Sequence, residues 1–155
     1  MAIITNQARH CFHFEEDFTG NWRCIPLCVR RKLDLIGVKL KLSHWLYLPQ
    51  QQRQELVDWA DDAQALVRMR DHLQNCTRSM PDGTVNNLPP ATMQPWQLTT
   101  HLPPLLSKAA TRYGTSLSLD QWAKITELER FALFKLACPG HDHHNLKAAL
   151  NEVLL

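Results

Sequence analysis

Two stretches of this chain, 77 residues apart, follow one template. Gly37, Leu40, Leu42, Trp45, Arg53 and Leu56 of the first recur as Gly114, Leu117, Leu119, Trp122, Arg130 and Leu133 of the second. Unrelated windows agree at about one position in twenty, so agreement at this spacing marks an internal duplication. The same offset pairs Pro26 with Pro103 and Ala60 with Ala137. The fold must therefore be one that a single supersecondary unit can build twice.

Apolar spacing inside the repeat is helical, and strand alternation is scarce, which predicts an all-α bundle of about six to eight helices. From Pro26, Val29, Leu33 and Ile36 form one apolar stripe, and Gly37 is placed for a left-handed helix end. Leu106, Ala110, Tyr113 and Gly114 repeat this pattern. A short extended Leu40-x-Leu42 follows, then a short tryptophan-bearing helix with Ser43, or Asp120 in the second copy, as its expected N-cap. The next helix opens after Pro49 in the first copy and at a capping box, Thr126-x-x-Glu129, in the second. A last helix runs through Ala65, Leu66, Met69, Leu73 and Cys76, with Leu146, Ala149, Leu150 and Val153 as its counterpart.

With 155 residues and 45% hydrophobic content, the chain has enough apolar material for one shared core. The expected organisation is a single domain over residues 1–155, with halves 24–76 and 101–155 and a connector at 79–100. The stretch from Ser79 to Pro104 holds six prolines and reads as irregular chain, anchored by Met93 and Trp96 or else mobile. The N-terminal Phe12-His13-Phe14, with Phe18 and Trp22, reads as a non-helical arm. Five cysteines in no even framework, with neither a secretory leader nor a long apolar run, suggest reduced thiols in a cytoplasmic protein with no membrane partner. A net charge of +2 argues against nucleic acid as a bulk partner. Six positive residues between Arg23 and Lys41 face a single Asp34. They read either as a solvated face or as a patch for an acidic protein or a phosphorylated ligand.

Few residues suggest chemistry. Cys138-Pro139-Gly140-His141-Asp142-His143-His144 crowds metal-ligand types together, so Cys138, His141, His143 and His144 are the candidate ligands, with His10, Cys11 and His13 as a second cluster. The competing reading is a polar turn into the last helix, capped by Asp142 or Asn145. Cys24 and Cys28 stand four apart, a spacing that suits buried thiols better than a redox pair, and Cys76 and Cys138 read as small core residues. Arg53 and Arg130, reused in both copies, suit an architectural role against a carboxylate or an indole. Glycine-rich phosphate loops, nucleophile elbows and His-Glu-x-x-His helices are all lacking, and the adjacent carboxylates Glu15-Glu16-Asp17 and Asp61-Asp62 do not face one another. No resident cofactor and no catalytic residue are expected.

The run Phe12-x-Phe14-Glu15-x-Asp17-Phe18, followed by Arg23-Cys24-Ile25-Pro26-x-x-Val29-Arg30-x-Lys32-Leu33-Asp34-x-x-Gly37-Val38-Lys39-Leu40, resembles the opening signature of the nitrate-reductase-associated protein family. Trp122, Arg130, Lys135-Leu136 and Pro139-Gly140-His141-Asp142-x-His144-Asn145-Leu146 are similar to its C-terminal region. Leu27 stands where methionine is expected, a volume-conserving exchange. Members of this small bacterial family tend to be encoded beside assimilatory nitrate reductase and molybdenum-cofactor genes. The resemblance thus implies an accessory or maturation factor that binds the reductase or the molybdenum-cofactor machinery, a binding role being expected ahead of an enzymatic one. It carries a pathway and no active site. Arg23, Arg30, Arg31 and Lys32 are the expected partner contacts, and exchange of halves between two copies would permit a homodimer. The alternative is a metal-binding or redox-sensing regulator using the His/Cys-rich tail.

Overall fold

A computed structural model describes residues 6–139 and 143–154 of the chain. Short helices α1 (Asn6–Arg9) and α2 (Glu16–Thr19) precede the first copy of the repeat. That copy consists of α3 (Leu27–Ile36), the short strand β1 (Val38–Lys39), α4 (Leu42–Tyr47), α5 (Gln50–Asp58) and α6 (Ala63–Cys76). The strand β2 (Asn86–Asn87) lies in the connector. The second copy contains α7 (Pro104–Arg112), α8 (Leu119–Lys124), α9 (Glu127–Ala137) and α10 (His143–Leu154). Helices α7, α8 and α9 begin 77 residues after α3, α4 and α5, so the duplicated letters are duplicated structure. The fold is predominantly helical, and no helix among the described residues is long and apolar enough to cross a membrane.

Local chemistry sets the boundaries. Gly37 ends α3 with φ 69° and Gly114 follows α7 with φ 71°, a region that an L side chain resists. The Thr126 hydroxyl accepts from the Glu129 amide while the Glu129 carboxylate accepts from the Thr126 amide, at 3.1 and 2.8 Å, the reciprocal box that its sequence predicts. The tryptophan helices start two residues earlier than expected. Their N-caps are Lys41 and Ser118, because Leu42 and Leu119 are already helical and Ser118 itself receives the Gln121 amide at 3.1 Å.

The chain divides into two compact units. The first comprises the described residues up to Cys11 together with Glu15–Ala91. Its centre is α3, which buries Leu27, Cys28, Val29, Leu33 and Ile36 and packs on α1, α5 and α6. Much of the connector is ordered here. β2 pairs antiparallel with β1, Val38 facing Asn87 and Lys39 facing Asn86. Met80 and Val85 are buried, and the Val85 amide donates to the Thr77 hydroxyl at 3.0 Å. His44 is buried; its Nδ1 accepts from the Lys41 amide at 3.1 Å. The Nε2–H is left to donate to the Gly83 carbonyl at 2.9 Å, which pins the connector to α4.

The second unit comprises Phe12–Phe14 and Thr92–Leu155. Leu106, Ala110, Trp122, Leu133, Leu136, Leu146 and Leu150 form its core, with α9 packed on α7, on α10 and on the 3-10 turn Pro95–Gln97. Trp96 anchors that turn as expected. It is buried edge-on against Phe131, with ring centroids 5.0 Å apart. Met93 does not anchor it, being 76% exposed with φ 53°. The expected N-terminal arm is instead short helical pieces. Phe12 stacks on Phe14 at 5.1 Å, and the amides of His13 and Phe14 donate to the Glu152 carboxylate at 2.9 and 3.0 Å.

Candidate functional site

The basic segment is divided by the helix that carries it. Arg23 and Arg30 are exposed, and Arg30 donates from Nε to the Ile25 carbonyl at 3.2 Å. Arg31 and Lys32 face inward instead. Arg31 Nη1 meets the Asp61 carboxylate at 3.1 Å, with both side chains under a tenth exposed. Lys32 is fully buried and donates from Nζ to the carbonyls of Leu56, Val57 and Trp59 at 2.7, 2.9 and 2.9 Å. Those are the last carbonyls of α5 and its cap, at the negative end of the helix dipole, where the i+4 donors run out. Burial pulls the ammonium down to about 8, against the opposing pull of Cys28 and Asp61. Lys32 follows Cys28 by four residues and lies beside Val29, Leu33 and Ile36, a spacing that already placed it next to the apolar stripe.

The duplicated tryptophan and arginine form the same clasp in each unit. Trp45 and Trp122 are both fully buried. Each indole N–H donates to a carbonyl upstream of its own helix, Trp22 at 2.8 Å and Leu98 at 2.9 Å. Arg53 donates to the carbonyls of Trp45, Leu46, Leu48 and Trp22, and its guanidinium lies 5.8 Å from the Trp45 ring centre. Arg130 donates to Ile125, the equivalent of Leu48, at 2.6 Å and to Trp96 at 3.0 Å. These arginines satisfy backbone at the turns after the tryptophan helices. Their role is architectural, with backbone carbonyls as partners of both and the Trp45 indole beside Arg53.

Of the tail candidates, His141 and the alternative cap Asp142 lie outside the described residues, as do the side chains of His143 and His144. Cys138 is half-buried at the end of α9. Among the described residues no group of three or more His, Cys, Asp or Glu side chains is arranged to hold a metal. The adjacent carboxylates diverge as expected: Asp61 pairs with Arg31, and Asp62 caps α6 by accepting from the Ala65 amide at 3.0 Å.

Two features escaped the sequence. An open groove of about 510 Å³ runs along α5 and the start of α6, lined by Gln51, Gln54, Glu55, Asp58, Trp59 and Arg68. Trp59 forms its firm wall, because its indole donates to the Ala65 carbonyl at 2.7 Å and its ring lies 5.3 Å from His72. Such a lining hydrogen-bonds polar ligand groups but presents no nucleophile with a base beside it. Secondly, Cys24 and Cys28 do not share a helix face: Cys24 precedes α3 and is not helical, while Cys28 is buried in its first turn. Interaction with the Cys11 thiol and burial push the Cys28 thiol up, and the same interaction holds Cys11 below the usual thiol range.

The family model described as conserved nitrate reductase-associated protein matches residues 11–153. The chain belongs to this family. The match takes in both copies of the repeat and the connector. No curated protein and no solved structure matches the chain. The tryptophan–arginine clasps, the inward lysine and the left-handed glycines of this family member all fall inside the matched span.

Proposed function

We propose that this protein is an accessory factor for assimilatory nitrate reductase, binding the enzyme or its molybdenum cofactor during assembly in the cytoplasm. The observation that carries the reading is membership, over residues 11–153, of a family described by its association with nitrate reductase. The distribution of side chains is compatible with a binding role. The repeated polar residues are spent on backbone carbonyls, while Arg23 and Arg30 remain outward at the start of α3. Exposed arginines of this kind pair with carboxylates or phosphates through two parallel hydrogen bonds. In this reading Arg23 and Arg30 meet the partner, and Arg31 and Lys32 hold the helix that presents them.

The test is nitrate reductase activity, normalised to reductase protein, in the source organism with the gene deleted. Reductase that accumulates but is inactive, and regains activity when the gene is restored, supports the assembly role. Unchanged specific activity overturns it.

A further inference from the structure

The groove along α5 occupies a position that the second copy fills. At the offset of the repeat, Gln51, Gln54, Glu55 and Trp59 correspond to Leu128, Phe131, Ala132 and Leu136, all of which are buried. There α10 packs along α9, and Trp96 of the turn Pro95–Gln97 meets Phe131 edge-on. In the first copy α6 packs on α3, and Gln51, Gln54, Glu55 and Asp58 stay exposed. An apolar seam in one copy is thus a polar opening of about 510 Å³ in the other, within the range of about 300–1,000 Å³ typical of small-molecule sites.

The walls of this groove differ in charge. From α5 come the carboxylates of Glu55 and Asp58, spaced to lie on one helix face, and the Gln54 side-chain amide steadies the second by donating to its Oδ1 at 3.1 Å. From α6 comes the Arg68 guanidinium. Among the described residues the side chains of Glu55 and Arg68 take part in no hydrogen bond or ion pair, so opposite charges line one opening without satisfying each other. Trp59 completes the wall with a ring held in place by the Ala65 carbonyl and His72. We propose that the groove binds a basic α-amino acid, its side-chain cation held by Glu55 and Asp58 against the Trp59 ring and its carboxylate paired with Arg68. With two carboxylates and one guanidinium in the lining, the complementary guest carries a single net positive charge and an anion of its own. An indole beside carboxylates suits a guanidinium or ammonium on a flexible apolar stem, and Arg68 takes a carboxylate through two parallel hydrogen bonds. Free arginine and the C-terminal arginine of a peptide share this chemistry.

The test needs no reductase. The full-length protein is titrated with L-arginine, agmatine, N-acetyl-L-arginine and L-glutamate while NMR follows the assigned indole N–H signals. L-Arginine is expected to move the Trp59 signal saturably in the millimolar range and to leave those of Trp45 and Trp122 in place. Agmatine, which lacks the carboxylate, is expected to bind about tenfold more weakly, and L-glutamate to leave Trp59 unmoved. Arg68→Gln is expected to abolish the difference between L-arginine and agmatine, and Glu55→Gln combined with Asp58→Asn to weaken L-arginine about tenfold. All three positions are exposed, and unchanged Trp45 and Trp122 signals report an intact fold; the ligand series on the unaltered protein decides the matter if a variant fails to fold. N-acetyl-L-arginine that binds as L-arginine does identifies the C-terminal residue of a peptide as the source, whereas loss of binding on acetylation identifies the free amino acid. No saturable shift at Trp59, an equal response to L-glutamate, agmatine binding as tightly as L-arginine, or undiminished binding by the Glu55 and Asp58 double variant would each overturn the proposal.

Discussion

The Leu88 amide donates to the Gly37 carbonyl at 2.7 Å, and the Leu88 carbonyl oxygen fills the space that a β-carbon on Gly37 would need. The Pro90 nitrogen stands 2.9 Å from the same place. At Gly114, the equivalent position, nothing lies within 4 Å. Two glycines with the same backbone angle therefore differ in consequence. Gly114→Ala bears only the left-handed strain and is expected to cost roughly 1–2 kcal/mol. Gly37→Ala must also push connector backbone aside, and is expected to cost at least about 2 kcal/mol more. Urea denaturation of the two variants checks the difference, and equal losses would contradict the contact.

Replacing Lys32 by methionine leaves the carbonyls closing α5 without their buried donor, with an expected loss of about 2–3 kcal/mol at neutral pH. The titration has a definite sign. The folded amine titrates at about 8 against 10.5 when unfolded, so between those values the unfolded chain binds more protons and stability rises with pH. The rise attributable to Lys32 is up to about 3 kcal/mol, and it disappears from the Lys32→Met profile. Chemical denaturation of both proteins at several pH values across that window measures the difference.

Arg53 and Arg130 are expected not to tolerate lysine. A single ammonium cannot reach carbonyls that a planar guanidinium meets from several nitrogens. Each substitution is expected to cost about 2 kcal/mol and to change tryptophan fluorescence in its own unit, since the turn beside Trp45 or Trp122 loses its clasp. Denaturation followed by fluorescence reads both effects together.

Charge reversal at Arg23 and Arg30 is expected to separate binding from folding. Both are exposed, so the double change to glutamate should alter stability by about 0.5 kcal/mol or less. Capture of nitrate reductase on the immobilised protein is expected to weaken by about tenfold, with reduced sensitivity to salt. Undiminished capture would remove these arginines from the interface.

The duplicated framework was readable because duplication repeats local signals: the glycine caps, the capping box and the apolar stripe of α3 all depend on neighbours a few residues away. The inward turn of Arg31 and Lys32 was harder to see, because charge suggests solvent until a helix end and a carboxylate from elsewhere in the unit offer partners. The groove beside Trp59 depends on tertiary placement alone. Met93 misled for a related reason: an apolar residue in a proline-rich stretch suggests an anchor, but Trp96 fills that role, with the turn that holds it resting on Arg130.

Each tryptophan–arginine clasp closes on carbonyls of its own unit, that of Trp22 in one and those of Trp96 and Leu98 in the other. A fastening that needs nothing from the other copy can be repeated with the unit that carries it. The two copies were then at liberty to spend their differences elsewhere, as the connector over Gly37 and the empty space around Gly114 record.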